Sequence, residues 1–152
     1  MKAATTKMLQ ELGAFILAGA KGPRDVKMMV EMIRAARRYC WVAIYKTNRT
    51  EFVFVAGTGK ERPSCPRFPI TQGLCGAAAE THKTVVVPDV RKDVRYLPAF
   101  HETRSEIVVP VISQSEKVVG VIVADSAKPK AFSKEDRDVL ERVALMMGHA
   151  FK

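Results

Sequence analysis

Three cysteines are the residues of this chain best suited to covalent chemistry, and each stands in a different setting. Cys65 lies in a proline-bearing stretch beside Arg62 and Arg67, where positive charge favours the reactive thiolate, so it is the first candidate for a reactive thiol. Cys75 opens a run of small residues that reads as a helix, and a helix N-terminus also favours a thiolate. The alternative for Cys75 is a small buried residue beneath the Gly73 and Gly76 turn. Cys40 reads as a core residue at the start of a strand. An odd and sparse set of cysteines is not the disulfide framework of a small secreted domain. No C-x-x-C and no Cys/His cluster is present, so neither a metal site nor a cofactor is expected. His82, His101 and His149 lie far apart and read as surface residues.

The elements that must position these groups follow from the apolar periodicity. Met8, Leu9, Leu12, Phe15 and Ile16 recur at helical spacing from Thr6 to Ala18, and Gly19 and Gly22-Pro23 end the pattern. A second amphipathic helix is predicted over Arg24 to Tyr39. Trp41 to Tyr45 and Phe52 to Ala56 then read as a hairpin of strands, being rich in β-branched and aromatic residues. Beyond a loop holding Pro63 and Pro66 come Ile70 to Gly73, a helix over Leu74 to Thr81, and a short strand over Thr84 to Val87. Pro88 to Thr103 is a long irregular connection. A second hairpin runs Glu106 to Ser113 and Lys117 to Asp125. The last helix begins at Ser133, whose hydroxyl can accept from the amide of Asp136, and it presents Val139, Leu140, Val143, Met146, Met147 and Ala150 on one face.

Helices at both ends with hairpins between them specify an α+β domain, a mostly antiparallel sheet with the terminal helices on one face. The segments Gly59 to Pro69 and Pro88 to Thr103 are the covers for the other face, and a pocket is expected beneath them. A chain of 152 residues with 47% apolar content suits a single domain over residues 1–152. Its apolar runs are too short to cross a bilayer and its N-terminus lacks a secretory pattern, so no membrane association and a cytoplasmic location are expected. A net charge of +9 raises nucleic acid as a partner. The basic residues are dispersed over Arg34/Arg37/Arg38, Lys60/Arg62/Arg67 and Arg91/Lys92/Arg95, without a nucleic-acid-binding pattern, and read as a solvated surface.

The stretches Pro69-Ile70-x-x-Gly73-Leu74-Cys75-Gly76-x-Ala78, Val87-Pro88-Asp89-Val90 and Thr103 to Val111 resemble a GAF domain, a fold related to PAS domains. So do Gly120 to Ser126 and Phe132-x-x-Glu135-Asp136. Among GAF proteins the chain is most similar to the free methionine-(R)-sulfoxide reductases. Cys65 and Cys75, ten residues apart, sit as two of that family's three cysteines do. The resemblance also implies that Trp41, Tyr45, Glu106 and Asp125 line the ligand pocket. Two positions depart from the pattern. The family's reactive cysteine falls at Ala99, and one of its two acidic residues in the strand ending at Asp125 falls at Val123.

A zwitterionic amino acid needs a carboxylate for its ammonium, donors for its carboxylate and an apolar wall for its side chain. Glu106 and Asp125 supply the first, main-chain amides around Ile70 to Gly73 the second, and Trp41 and Tyr45 the third. The expected function is therefore small-molecule binding, of free methionine sulfoxide or another amino acid, in a binding or sensory domain of signalling type. The alternative is a working L-methionine (R)-S-oxide reductase that uses Cys65 and Cys75 and draws electrons from a thioredoxin-type donor. The terminal helices can pack on each other within one chain or pair across a two-fold axis as a homodimer.

Overall fold

A strand that is apolar on both faces needs a cover on each, and Val121, Ile122, Val123 and Ala124 are all buried. In the computed structural model, which describes residues 1–60, 62–100 and 102–150, they lie near the middle of a six-stranded antiparallel sheet. The strands are β1 (Trp41–Thr47), β2 (Glu51–Gly57), β3 (Arg67–Pro69), β4 (Val85–Val87), β5 (Ser105–Ile112) and β6 (Val118–Ser126). Their spatial order is β3-β2-β1-β6-β5-β4, so the two hairpins join through β1 and β6 and the three-residue strands form the edges.

Successive residues of a strand point to opposite faces. Val42 and Ile44 of β1, Ile122 and Ala124 of β6, and Ile107 and Val109 of β5 pack in one core with helices α1 (Ala3–Leu17), α2 (Pro23–Arg37) and α4 (Lys134–Ala150). Trp41, Ala43 and Tyr45, with Val121, Val123 and Val108, pack in a second core with α3 (Gly73–Thr81). The architecture is the expected α+β one. The terminal helices α1 and α4 pack on each other within the chain. Among the described residues no helix is long and apolar enough to cross a membrane.

Several boundaries differ from the periodicity in instructive ways. The helix expected to run to Tyr39 ends at Arg37, because Arg38 adopts the left-handed conformation, φ 59°, as its C-terminal cap. That turn frees Tyr39 to donate to the Asp136 carboxylate at 2.7 Å, while the Arg37 guanidinium donates to the same oxygen at 2.6 Å. Ser133 and Asp136 cap α4 reciprocally, the Asp136 amide on the Ser133 hydroxyl at 3.2 Å and the Ser133 amide on the Asp136 carboxylate at 2.7 Å. Arg37 also donates to Thr5, so one buried network ties α1, α2 and α4 together. Beneath the other face, α3 lies so close to the chain before it that a Cβ on Gly76 would stand 2.6 Å from the Thr71 carbonyl carbon.

Candidate functional site

Strand register assembles the site. Glu106 of β5 is paired with Asp125 of β6, and Asp125 with Trp41 of β1, so the three form a row across the sheet on the face opposite the terminal helices. Val108, Val123 and Ala43 form the next row along. All three members of the first row are buried. Leu97, Pro98 and Ala99 of the long connection roof this face, and α3 brings Gly73, Leu74 and Cys75 to its side. The roof is tied to the loop before β3, since the hydroxyl and amide of Ser64 both donate to the Ala99 carbonyl, at 2.9 and 3.3 Å.

The space beneath the roof is divided. An inner cavity of about 30 Å³, room for one or two waters, is lined by Tyr45, Cys65, Cys75, Ala99, Glu106 and Val123 among others. Beside it opens a cleft of about 820 Å³, bounded by Arg34, Cys40, Thr58, Lys60, Arg62, Thr103 and Asp125. Trp41 and Ala99 line both. Trp41 stacks nearly parallel to Phe54 at 6.4 Å and meets Phe100 edge-on at 4.8 Å. Its indole N–H is buried with no hydrogen-bond partner among the described residues. It is thus both core residue and pocket wall.

Electrostatics separate the two carboxyls. Burial pushes the Glu106 carboxyl well above the ordinary range, and the Asp125 carboxylate next to it pushes the same way. Asp125 is pushed up to about 6 by burial, offset in part by the Thr103 hydroxyl, which donates to it at 3.0 Å. Val123 stands in the inner cavity, so the position where the resemblance anticipates a second acid contributes only a hydrophobic wall.

The cysteines differ from their sequence settings. Cys75 sits at the third position of α3, yet burial pushes its thiol well up and Glu106 adds to the effect, overriding the helix terminus that was expected to favour a thiolate. Cys65 lines the inner cavity, but the arginines beside it in sequence are engaged elsewhere: Arg67 pairs with Glu51 at 3.0 Å and Arg62 lies over the Phe54 ring at 5.6 Å. Cys40 is not a core residue. It is exposed on the cleft, past the left-handed cap of α2, and its carbonyl accepts from Arg34 Nε at 3.3 Å. Ile70 is not brought to the cavity wall. Its amide donates to the Thr50 carbonyl and that of Gln72 to the Pro69 carbonyl, which withdraws two of the donors expected to hold a ligand carboxylate.

Other cleft residues were not singled out in the sequence as ligand-binding. Arg34, Lys60 and Thr103 come from α2, the segment after β2 and the end of the long connection, and only folding brings them to one opening. His82 caps the end of α3 and His149 lies against Gln114, while His101 falls outside the described residues. Among the described residues no group of three His, Cys, Asp or Glu side chains is placed to hold a metal ion.

The comparisons with known proteins identify the family and the fold. The GAF domain profile matches residues 27–152. The free methionine-R-sulfoxide reductase of Saccharomyces cerevisiae is 35% identical over 108 residues, 70% of this chain but only 60% of that protein's length. The crystal structure of the free methionine-R-sulfoxide reductase from Neisseria meningitidis in complex with its substrate superposes with a TM-score of 0.87 at 26% identity, covering 97% of this chain and 89% of that one. The type II free methionine-R-sulfoxide reductase of Thermoplasma acidophilum gives a TM-score of 0.79 at 30% identity, covering 90% and 92%. With a GAF profile over most of its length and the same fold in its structural relatives, the chain belongs to the GAF domain family.

Proposed function

We propose that this GAF domain is a binding module for a small ligand carrying an ammonium group, free methionine sulfoxide or a similar amino acid being the first candidate. The observation that carries the reading is the pair of buried carboxyls Glu106 and Asp125, side by side across β5 and β6 with the Trp41 ring beside them and no thiol at residue 99. Two adjacent carboxyls against an aromatic wall suit a cation, because each is raised by burial and gains most from a positive partner. The similarity to the reductases of Saccharomyces and Neisseria supports the choice of ligand. The ligand fits the outer cleft as it stands, whereas contact with Glu106 requires the Leu97 to Ala99 roof to lift, since the inner cavity is smaller than any amino acid.

A second reading is favoured by one observation: Cys65 and Cys75 line the same inner cavity as Ala99 and Glu106. A reductase built on them would use one thiolate to attack the sulfoxide sulfur, releasing the sulfide and leaving a sulfenic acid. The other thiol would condense with it to a disulfide with loss of water, and an external dithiol would reduce that disulfide. The raised Cys75 thiol works against this route.

The deciding experiment combines a thermal-shift titration with free methionine (R)-sulfoxide and a turnover assay with a thioredoxin-type donor. The expected outcome is stabilisation of the wild-type chain without turnover, and measurable turnover after Ala99→Cys. Robust wild-type turnover that Cys65→Ser abolishes would establish the reductase instead.

A further inference from the structure

The cleft beside Trp41 is unevenly charged. Arg34 from α2 and Lys60 and Arg62 from the segment after β2 border it, and none of the three has a carboxylate within ion-pair distance among the described residues. Of the acids that border it, Glu31 is engaged by Lys27 at 3.5 Å and by the Gly59 amide at 2.8 Å. Among the described residues Glu102 and Asp125 remain, contributed by the other wall, from the long connection and β6.

The cations are also positioned. Glu31 and Lys27 pin the turn at Gly59, Lys27 donating to the carbonyls of Gly57 and Gly59, so α2 holds the turn just before Lys60. Arg34 spends its Nε on the Cys40 carbonyl, and Arg62 lies on the Phe54 ring. Unpaired cations in a concave site concentrate anions, and the guanidinium fork matches the oxygens of a carboxylate or phosphate. An opening of about 820 Å³ lies within the range of small-molecule sites, roughly 300–1,000 Å³. Elsewhere in the site, the Ile70 and Gln72 amides are already taken, so an anionic group loses those two donors there.

We propose that the cleft takes a ligand with an ammonium at one end and a carboxylate or phosphate at the other, the ammonium at Asp125 and the anion at Arg34, Lys60 and Arg62. This rests on the reading of Asp125 given above and adds the anchor for the anion. It makes the anionic group, and not the sulfur side chain, the feature that selects ligands at the opening.

Trp41 is the single tryptophan and lines the cleft, so its fluorescence reports binding directly. The probes are L-methionine sulfoxide, its carboxamide, ethanolamine phosphate and inorganic phosphate, titrated at low ionic strength into wild type, Arg34→Gln/Arg62→Gln and Asp125→Asn. Both arginines are exposed, so their replacement leaves the cores untouched. The expected result is that wild type binds the sulfoxide acid or ethanolamine phosphate at least ~10-fold tighter than the carboxamide, about 1.4 kcal/mol, and that the arginine double variant loses this margin while still binding the carboxamide. Tighter binding of ethanolamine phosphate than of the sulfoxide acid assigns the phosphate class, and the reverse assigns the carboxylate. Equal binding of acid and carboxamide, or a margin that survives in the double variant, overturns the anion anchor. If only inorganic phosphate binds, and only to chains with both arginines, the anchor stands and the role of Asp125 falls.

Discussion

At the scale of single residues, the Glu106 and Asp125 pair makes the folded state prefer protons. Both carboxyls titrate higher in the fold than in an unfolded chain, Asp125 at about 6 against 3.8. Between those values the native state binds more protons than the unfolded one, so stability rises as pH falls from 7 toward 4 and is lost in the opposite direction. Asp125→Asn is therefore expected to stabilise the free protein at pH 7 by on the order of 2–3 kcal/mol and to flatten the acid limb of its stability profile, measured by urea unfolding at a series of pH values. Binding of an ammonium ligand should show the opposite trend and weaken below pH 6. A variant with the wild-type slope would place the proton elsewhere. Glu106 and Asp125 were singled out in the sequence by the GAF resemblance, and strand pairing is what sets them side by side. The state of Cys75 was not legible there, since burial outweighs the helix terminus and burial is a property of the whole fold.

Among the elements, the helical layer is clamped at one point. Asp136 accepts from Arg37, Tyr39 and Ser133, so the start of α4 and the end of α2 share one carboxylate, and Arg37 carries the link on to Thr5 in the first turn of α1. These donors hold the Asp136 carboxyl below its usual range although burial works the other way. Asp136→Ala would leave the Tyr39 hydroxyl without its acceptor and Arg37 with only the Glu135 carboxylate at 3.6 Å, and a loss of about 1–3 kcal/mol is expected in chemical denaturation. Asp136→Asn should recover part of it. A loss below ~1 kcal/mol would mean that water replaces the clamp. The Ser133 cap was readable from its spacing to Asp136. The left-handed end of α2 at Arg38 was not, because periodicity continued through Tyr39 and only the distant Asp136 rewards stopping earlier.

For the whole molecule, the sheet separates a helix-packed core from a second core that is partly a roof of loops. A ligand that reaches Glu106 must displace Leu97 to Ala99, whereas one confined to the cleft need not. Hydrogen–deuterium exchange should therefore separate two classes of ligand: those that change protection of residues 94–100 and those that change only the 58–60 turn and the end of α2. Identical exchange with every ligand that binds would remove the distinction between the two compartments.

The α+β class and the order of the main helices and hairpins could be read from the sequence, because apolar periods of 3.6 and 2 are local patterns that survive without coordinates. The edge strand β3 instead fell in a stretch expected as a covering loop. The Ser133 cap could also be read, whereas Trp41, Glu106 and Asp125 were singled out by the GAF resemblance and not by such patterns. The division of the pocket, the exposure of Cys40, the engagement of Arg62 and Arg67 away from Cys65, and the convergence of Arg34, Lys60 and Arg62 were decided by tertiary structure alone. Each depends on how far one segment stands from another distant in sequence. No local pattern encodes that distance; close packing sets it.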